Sequence, residues 1–191
     1  MYLARHGQTE ENVNRIFQGQ LPGRLTEEGK RQAVSMGEEL AGVSLDAVVS
    51  SDLQRVVDTV QLAVGNRDLP WEKTPLLREI DWGAWTGRSL DSVDRKHLPP
   101  DAETKEMLYE RAGRFLEYLR KNYEGKKVLV VAHGLVNRSI QAQILGVPAD
   151  QLHTLPHMKN AEVRYFEIMN NIRIIVLFIR LYSFSVDMSE M

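Results

Sequence analysis

The chain has 191 residues, 43% hydrophobic and 26% charged, with 24 Lys+Arg against 26 Asp+Glu, a net charge of -2 and no cysteine. These proportions exclude a disordered, collagen-like or coiled-coil chain, and the length allows one domain spanning residues 1–191 that buries roughly 70% of its unfolded surface. The near balance of charge argues against a nucleic-acid surface, which needs a basic excess on one face, and the absent thiols exclude disulfides, thiolate metal sites and a cysteine nucleophile.

Tyr2-Leu3-Ala4 is the first short apolar run and reads as a buried strand. Residues Glu10 to Arg24 lack periodicity and read as a loop longer than ordinary connections, which points to function. Thr26 then caps a helix from about Glu27 to Ala41, with Ala33, Met36, Gly37 and Leu40 toward the core. Ala47-Val48-Val49 reads as the next strand, and Ser51 or Asp52 as the cap of a helix running to Val64 and ended by Gly65-Asn66.

Leu77 to Gly87 combines Trp82 and Trp85 with two glycines, the composition of a shaped, partly apolar loop, and Thr86 to Ala102 is the second long aperiodic stretch. Met107, Leu108, Ala112, Phe115, Leu116 and Leu119 recur at helical spacing between Thr104 and Asn122. Val128 to Ala132 is the most strand-like run, followed at once by a helix from Gly134 or Leu135 to Leu145. Ala161 to Ile168 and Ile172 to Ile179 flank Asn170-Asn171 as a hairpin, so residues 171–191 form an edge strand and a loose end. Continuous apolar strands alternating with helices predict an α/β fold with a parallel sheet covered on both faces. The N-terminal residues lack a signal-peptide pattern, and Ile172 to Ile179 is far shorter than the ~20 residues of a membrane span, so the expected location is the cytoplasm.

Two places repeat one arrangement: Ala4-Arg5-His6-Gly7 and Ala132-His133-Gly134 each set His-Gly at the end of an apolar strand. In parallel sheets ligands bind beyond the carboxyl ends of strands, so both histidines reach one edge. Arg55, in the first turn of the helix after the Ala47-Val48-Val49 strand, joins Arg5 there. Two guanidinium forks beside helix N-terminal amides make an anion site by composition. Without cysteine the natural nucleophile is a histidine, and an alcohol leaving group then needs an acid. Glu79 is the candidate, with Asp81 in reserve. Either histidine alone would read equally as a satisfied core residue, Arg5 alone has the second reading of pairing with an acid, and Arg55 alone reads as a solvated helix residue. His97, His153 and His157 form no metal set, because Pro156 breaks the helical spacing of the last two; His157 is expected at most at the pocket rim. Trp82 and Trp85 are expected to pack, with Trp85 nearer a substrate.

The strings Arg5-His6-Gly7-Gln8-Thr9-Glu10-Glu11-Asn12, Ser51-Asp52-Leu53-Gln54-Arg55 with Thr59, Leu77-Arg78-Glu79 and Ala132-His133-Gly134 occur in this order. Together they resemble the histidine phosphatase superfamily, the phosphoglycerate mutase-like proteins. The resemblance implies a three-layer α/β/α sandwich with a mixed, mostly parallel central sheet and His6 as the phosphorylated nucleophile. It implies Arg5, Arg55 and His133 as the phosphate pocket, Glu79 as proton donor, and Asn12, Gln18, Gly19 and Gly134 as substrate contacts. No metal or cofactor is expected. The implied partner is a small phosphorylated metabolite, bound by a monomer or homodimer that takes neither nucleic acid nor membrane.

The short stretch between Gly87 and the Thr104 helix leaves little room for the lid of a mutase, which favours a phosphatase. Leu77 to Gly83 resembles the string found in α-ribazole phosphatases and in broad-specificity phosphomonoesterases. Phosphoglycerate mutase, and a silent phospholigand-binding protein on the same fold, are the alternative readings. Arg24, Val56-Val57-Asp58 and Asp101-Ala102-Glu103-Thr104 depart from the family pattern and leave the substrate's identity open.

Overall fold

A computed structural model describes residues 1–168; the hairpin expected at Asn170-Asn171 and the tail beyond it lie outside these residues. Five strands, β1 (Tyr2–Arg5), β2 (Ala47–Ser50), β3 (Trp71–Lys73), β4 (Val128–Ala132) and β5 (Val163–Tyr165), form one sheet in the order β3-β2-β4-β1-β5. All neighbours are parallel except β1 and β5. The sheet is therefore mixed and mostly parallel, as the resemblance implies.

Alternation along the strands sends successive side chains to opposite faces and so builds two cores. Leu3, Val49, Val128, Val130 and Ala132 pack with α4 (Lys105–Asn122) and α5 (Gly134–Leu145) on one side. Ala4, Val48, Leu129 and Val131 pack with α2 (Glu27–Glu39) and α3 (Gln54–Val64) on the other. Because both faces are covered, the central strands carry unbroken apolar runs. The result is the three-layer α/β/α arrangement.

Thr26 and Thr104 cap α2 and α4, accepting from the amides of Gly29 and Met107. The α3 cap differs from expectation: Leu53 is the N-cap and no side chain accepts from the first-turn amides; Ser51 Oγ accepts from Leu53 N–H at 3.3 Å and from His133, and Asp52 is engaged by Arg78. Met107 is 53% exposed rather than in the core, since the helix turns its buried stripe through Leu108, Ala112, Phe115 and Leu119. The first aperiodic stretch holds a one-turn helix, α1 (Glu10–Val13), whose capping box joins Thr9 and Asn12. The two long loops are not independent. Phe17 N–H donates to Arg88 O at 2.8 Å and Leu90 N–H to Arg15 O at 2.8 Å, with an antiparallel bridge between Ile16 and Ser89.

A backbone approach locks the loop after β1 onto α2. A Cβ on Gly29 would lie 2.0 Å from Gln8 O, and one on Gly7 would lie 2.3 Å from Gly29 O. On an exposed helix face Gly→Ala gains about 1 kcal/mol of propensity; here Gly29→Ala is expected to cost about 1–3 kcal/mol, because backbone must move. A lowered urea midpoint checks this, and a raised one contradicts it.

Candidate active site

Sheet register assembles the site. Arg5 stands opposite Ala132 in the parallel β1–β4 ladder, which continues one residue further as His6 N–H donates to Ala132 O at 3.1 Å. His6 and His133 thus stand side by side beyond the strand ends, ring centroids 5.2 Å apart at 62°. From β2, Ser51 N–H donates to Val131 O at 3.0 Å, placing the start of α3 on the same edge.

The His6 ring is oriented by its own backbone. Nδ1 lies 2.7 Å from Gly7 O, and since a carbonyl only accepts, Nδ1 carries the proton. Nε2 then holds the lone pair and makes no hydrogen bond among the described residues. His133 has the opposite tautomer. Arg55 Nε donates to its Nδ1 at 3.1 Å, leaving Nε2–H to donate to Ser51 Oγ at 2.8 Å.

Burial first, then the nearby positive charges, holds both imidazoles well below their ordinary pKa; for His6 the cations are Arg55 and Arg5. Both rings are neutral at physiological pH, so Nε2 of His6 is nucleophilic. The linkage sign follows from this depression. Below the ordinary value of about 6.5 the unfolded chain binds protons that the folded chain refuses. Stability is therefore expected to be full above about pH 6.5 and to fall as pH drops through that value toward the folded ones, by at most about 1.4 kcal/mol per pH unit for each ring. Urea midpoints at about pH 7.5 and 5.5 check it, and a flat profile contradicts it.

Arg55 is 1% exposed. Besides His133 it donates to Gly19 O at 2.7 Å and to Leu21 O, so α3 holds the 18–21 loop against the site. Desolvation lowers its pKa to about 10, against the pull of Glu79 and Glu11, and the guanidinium stays charged. Among the described residues three of its five N–H groups are used, leaving two. Arg5 donates to Met158 O at 2.8 Å, while its Nε is buried with no partner among the described residues. An orphaned guanidinium N–H of that kind is what an anion would satisfy. Glu79 lies against the N-terminus of α5: Oε1 accepts from Ile80 N–H (3.0 Å) and Val136 N–H (3.1 Å), and Oε2 from Leu135 N–H (3.0 Å).

These groups meet in a cavity of about 150 Å³, whose lining includes Arg5, His6, Asn12, Gln18, Gly19, Arg55 and Glu79. His133 and Gly134 are not on the lining. His133 is fully buried behind Arg55 and Ser51, and Gly134 lies against the site, where an added Cβ would make only ordinary contact, 3.7 Å from Arg5 and Glu79. Gln18 is held by Thr9 Oγ1 at 3.0 Å and Glu11 Oε2 at 2.8 Å. Asn12 is fixed through Oδ1, which accepts from Thr9 N–H and Asn160 Nδ2, each at 3.2 Å.

The remaining wall is apolar and was not read from the sequence: Ile16, Phe17, Trp82, Leu90 and Leu135. Trp82 rather than Trp85 reaches the cavity. Trp85 is buried behind it, stacked at 6.1 Å, and both lie against Phe17. Asp81 and His157 are also off the lining; Asp81 Oδ1 is taken by Gly83 N–H at 2.9 Å. Among the described residues no group of three or more His, Asp or Glu side chains is arranged to hold a metal ion, and no helix is long and apolar enough to cross a membrane.

The sequence model of the Histidine phosphatase superfamily (branch 1) matches residues 1–179. The adenosylcobalamin/alpha-ribazole phosphatase of Escherichia coli (strain K12) is 30% identical over 166 residues, 80% of this chain and 82% of that protein. A probable phosphoglycerate mutase, GpmB of Salmonella arizonae, is 31% identical over 163 residues, 78% of this chain and 76% of that one. Among solved structures, Bacillus stearothermophilus YhfR superposes with a TM-score of 0.87 at 29% identity, over 93% of this chain and 94% of its own. The family match spans all three strand ends that build the site, and with it the chain belongs to branch 1 of the histidine phosphatase superfamily and is an enzyme of that phosphatase family.

Proposed function

We propose that this protein is a metal-independent phosphomonoesterase that hydrolyses a small phosphorylated metabolite through a phosphohistidine on His6. The observation that carries the reading is the Nδ1–H bond from His6 to Gly7 O, which leaves Nε2 unengaged in a cavity beside Arg5 and Arg55. The ester's non-bridging oxygens sit against the buried Arg5 Nε and the two remaining Arg55 donors. Nε2 attacks phosphorus, the bond to the leaving oxygen breaks, and Glu79 gives that oxygen a proton. Glu79 then takes a proton from water, which attacks the phosphohistidine, releases inorganic phosphate and restores His6. His133 acts from behind by holding Arg55 through Nδ1, and the negative charge on the phosphoryl oxygens meets the fixed cations in the transition state. Asn12, Gln18 and Gly19 line the side where the rest of the substrate enters.

Ile16, Phe17, Trp82, Leu90 and Leu135 favour a leaving group with an uncharged, ring-bearing face. α-Ribazole phosphate is therefore the first natural monoester to test, supported by the Leu77 to Gly83 string and by the named activity of the Escherichia coli relative. A panel of phosphorylated metabolites assayed with chelator present decides the matter. Hydrolysis together with acid-labile label on the protein is expected. Isomerisation of phosphoglycerate outrunning its hydrolysis would replace this reading with a mutase, and binding without turnover would make the chain a phospholigand-binding protein.

A further inference from the structure

The segment Asp101-Ala102-Glu103-Thr104 and the polar face of α4 take no part in the chemistry above, yet they converge on the loop that carries Glu79. Arg111, one face of α4, makes a two-point pair with Glu103: Nε to Oε1 at 2.8 Å and the terminal nitrogen to Oε2 at 2.7 Å, both side chains 12% exposed. Its other donors reach across to backbone. They meet Leu76 O at 2.9 Å, Arg78 O at 2.7 Å and Glu79 O at 3.4 Å. Glu103 grips the other side of the acid, for its Oε2 accepts from Asp81 N–H at 3.2 Å and its own N–H donates to Asp81 O at 2.8 Å.

We propose that Arg111 and Glu103 act as one clamp that positions Glu79 for proton transfer. Carbonyls before and at Glu79 are tied to a single planar fork, and the residue two positions later is tied to the carboxylate that the fork holds. A guanidinium suits this role because it is rigid and supplies several donors in one plane; an ammonium cannot span the same acceptors. Among the described residues the clamp hydrogen-bonds to the cavity lining only at the backbone of Glu79, so Arg111 and Glu103 are positioning residues. Geometry of this kind matters because small displacements of an acid or base weaken transfer steeply.

The inference rests on the phosphohistidine reading, and leaving-group chemistry separates the two. A p-nitrophenolate departs with little help, whereas an alkoxide needs its proton. In Arg111→Gln, kcat/KM for an alkyl monoester such as glycerol phosphate is expected to fall on the order of 100-fold, and that for p-nitrophenyl phosphate by less than about 5-fold. Label on His6 from p-nitrophenyl phosphate is expected at or above the wild-type level, because a displaced Glu79 also slows hydrolysis of the phosphohistidine, and Arg111→Lys is expected to recover part of the alkyl activity. Should Arg111→Gln fail to fold, Glu103→Gln keeps the size of the partner while removing its charge and is expected to show the same skew, smaller in extent. An equal fall for both esters in a folded variant that still labels on His6 would overturn the clamp alone. No label on the wild-type protein would overturn the phosphohistidine reading, and the clamp's role with it.

Discussion

Replacing His6 is expected to remove turnover and covalent labelling together, by about 10⁴-fold or more, because no other side chain on the cavity lining can serve as the nitrogen nucleophile. Two substitutions separate the nucleophile from the fold. His6→Ala deletes the ring and opens space in a buried site, whereas His6→Asn retains an amide N–H that can still donate to Gly7 O. If Nε2 is what matters, both variants lose activity equally and neither takes label, although His6→Asn denatures closer to the wild type. Retention of more than about 1% of kcat/KM in either variant would contradict a covalent route through His6.

Much of this arrangement is legible in the sequence, for physical reasons that differ by element. Thr26 announces α2 because a hydroxyl one residue before an amphipathic stretch has few other uses, and α4 is announced by the helical spacing of Leu108, Ala112, Phe115 and Leu119. β4 is legible since a strand covered on both faces must be apolar throughout. β3 is not: it is a three-residue edge strand, Trp71–Lys73, partly exposed and carrying Glu72 and Lys73, and only its parallel pairing with Val48 to Ser50 defines it. Ser51 shows the limit of local reasoning. Its sequence position reads as a helix cap, but its hydroxyl accepts from a histidine 82 residues away as well as from Leu53 N–H at 3.3 Å, so a local use is shared with a tertiary one.

The candidate site divides the same way. Arg5, His6, Arg55 and Glu79 were found because strand ends and residue chemistry point to them, and all four lie on one cavity. Its apolar wall was not found. Ile16, Phe17 and Leu90 come from two stretches without periodicity that define each other's conformation by pairing, and neither carries a signal alone. The clamp on Glu79 is hidden for another reason: Arg111 and Glu103 are eight residues apart and share no local motif, and only the fold brings both to the 76–81 loop.

Glu79→Gln is expected to give the reverse pattern to the His6 variants: label accumulates while turnover fails. The substitution removes the proton that the leaving oxygen needs, so kcat/KM for alkyl monoesters falls by about 10²–10⁴-fold while that for p-nitrophenyl phosphate changes far less. It also removes the base that activates water in the second step. p-Nitrophenyl phosphate should then give a burst of one nitrophenol per site followed by slow release, with phosphohistidine persisting. A structural cost accompanies this. Glutamine keeps one oxygen for Ile80 and Val136 N–H but turns an amide NH₂ toward Leu135 N–H, so the first turn of α5 loses a cap worth about 1 kcal/mol. That loss lowers the denaturation midpoint modestly and cannot produce a burst. A variant that lost the label along with turnover would place Glu79 in substrate binding instead, and uniform loss across good and poor leaving groups would remove it as the proton donor.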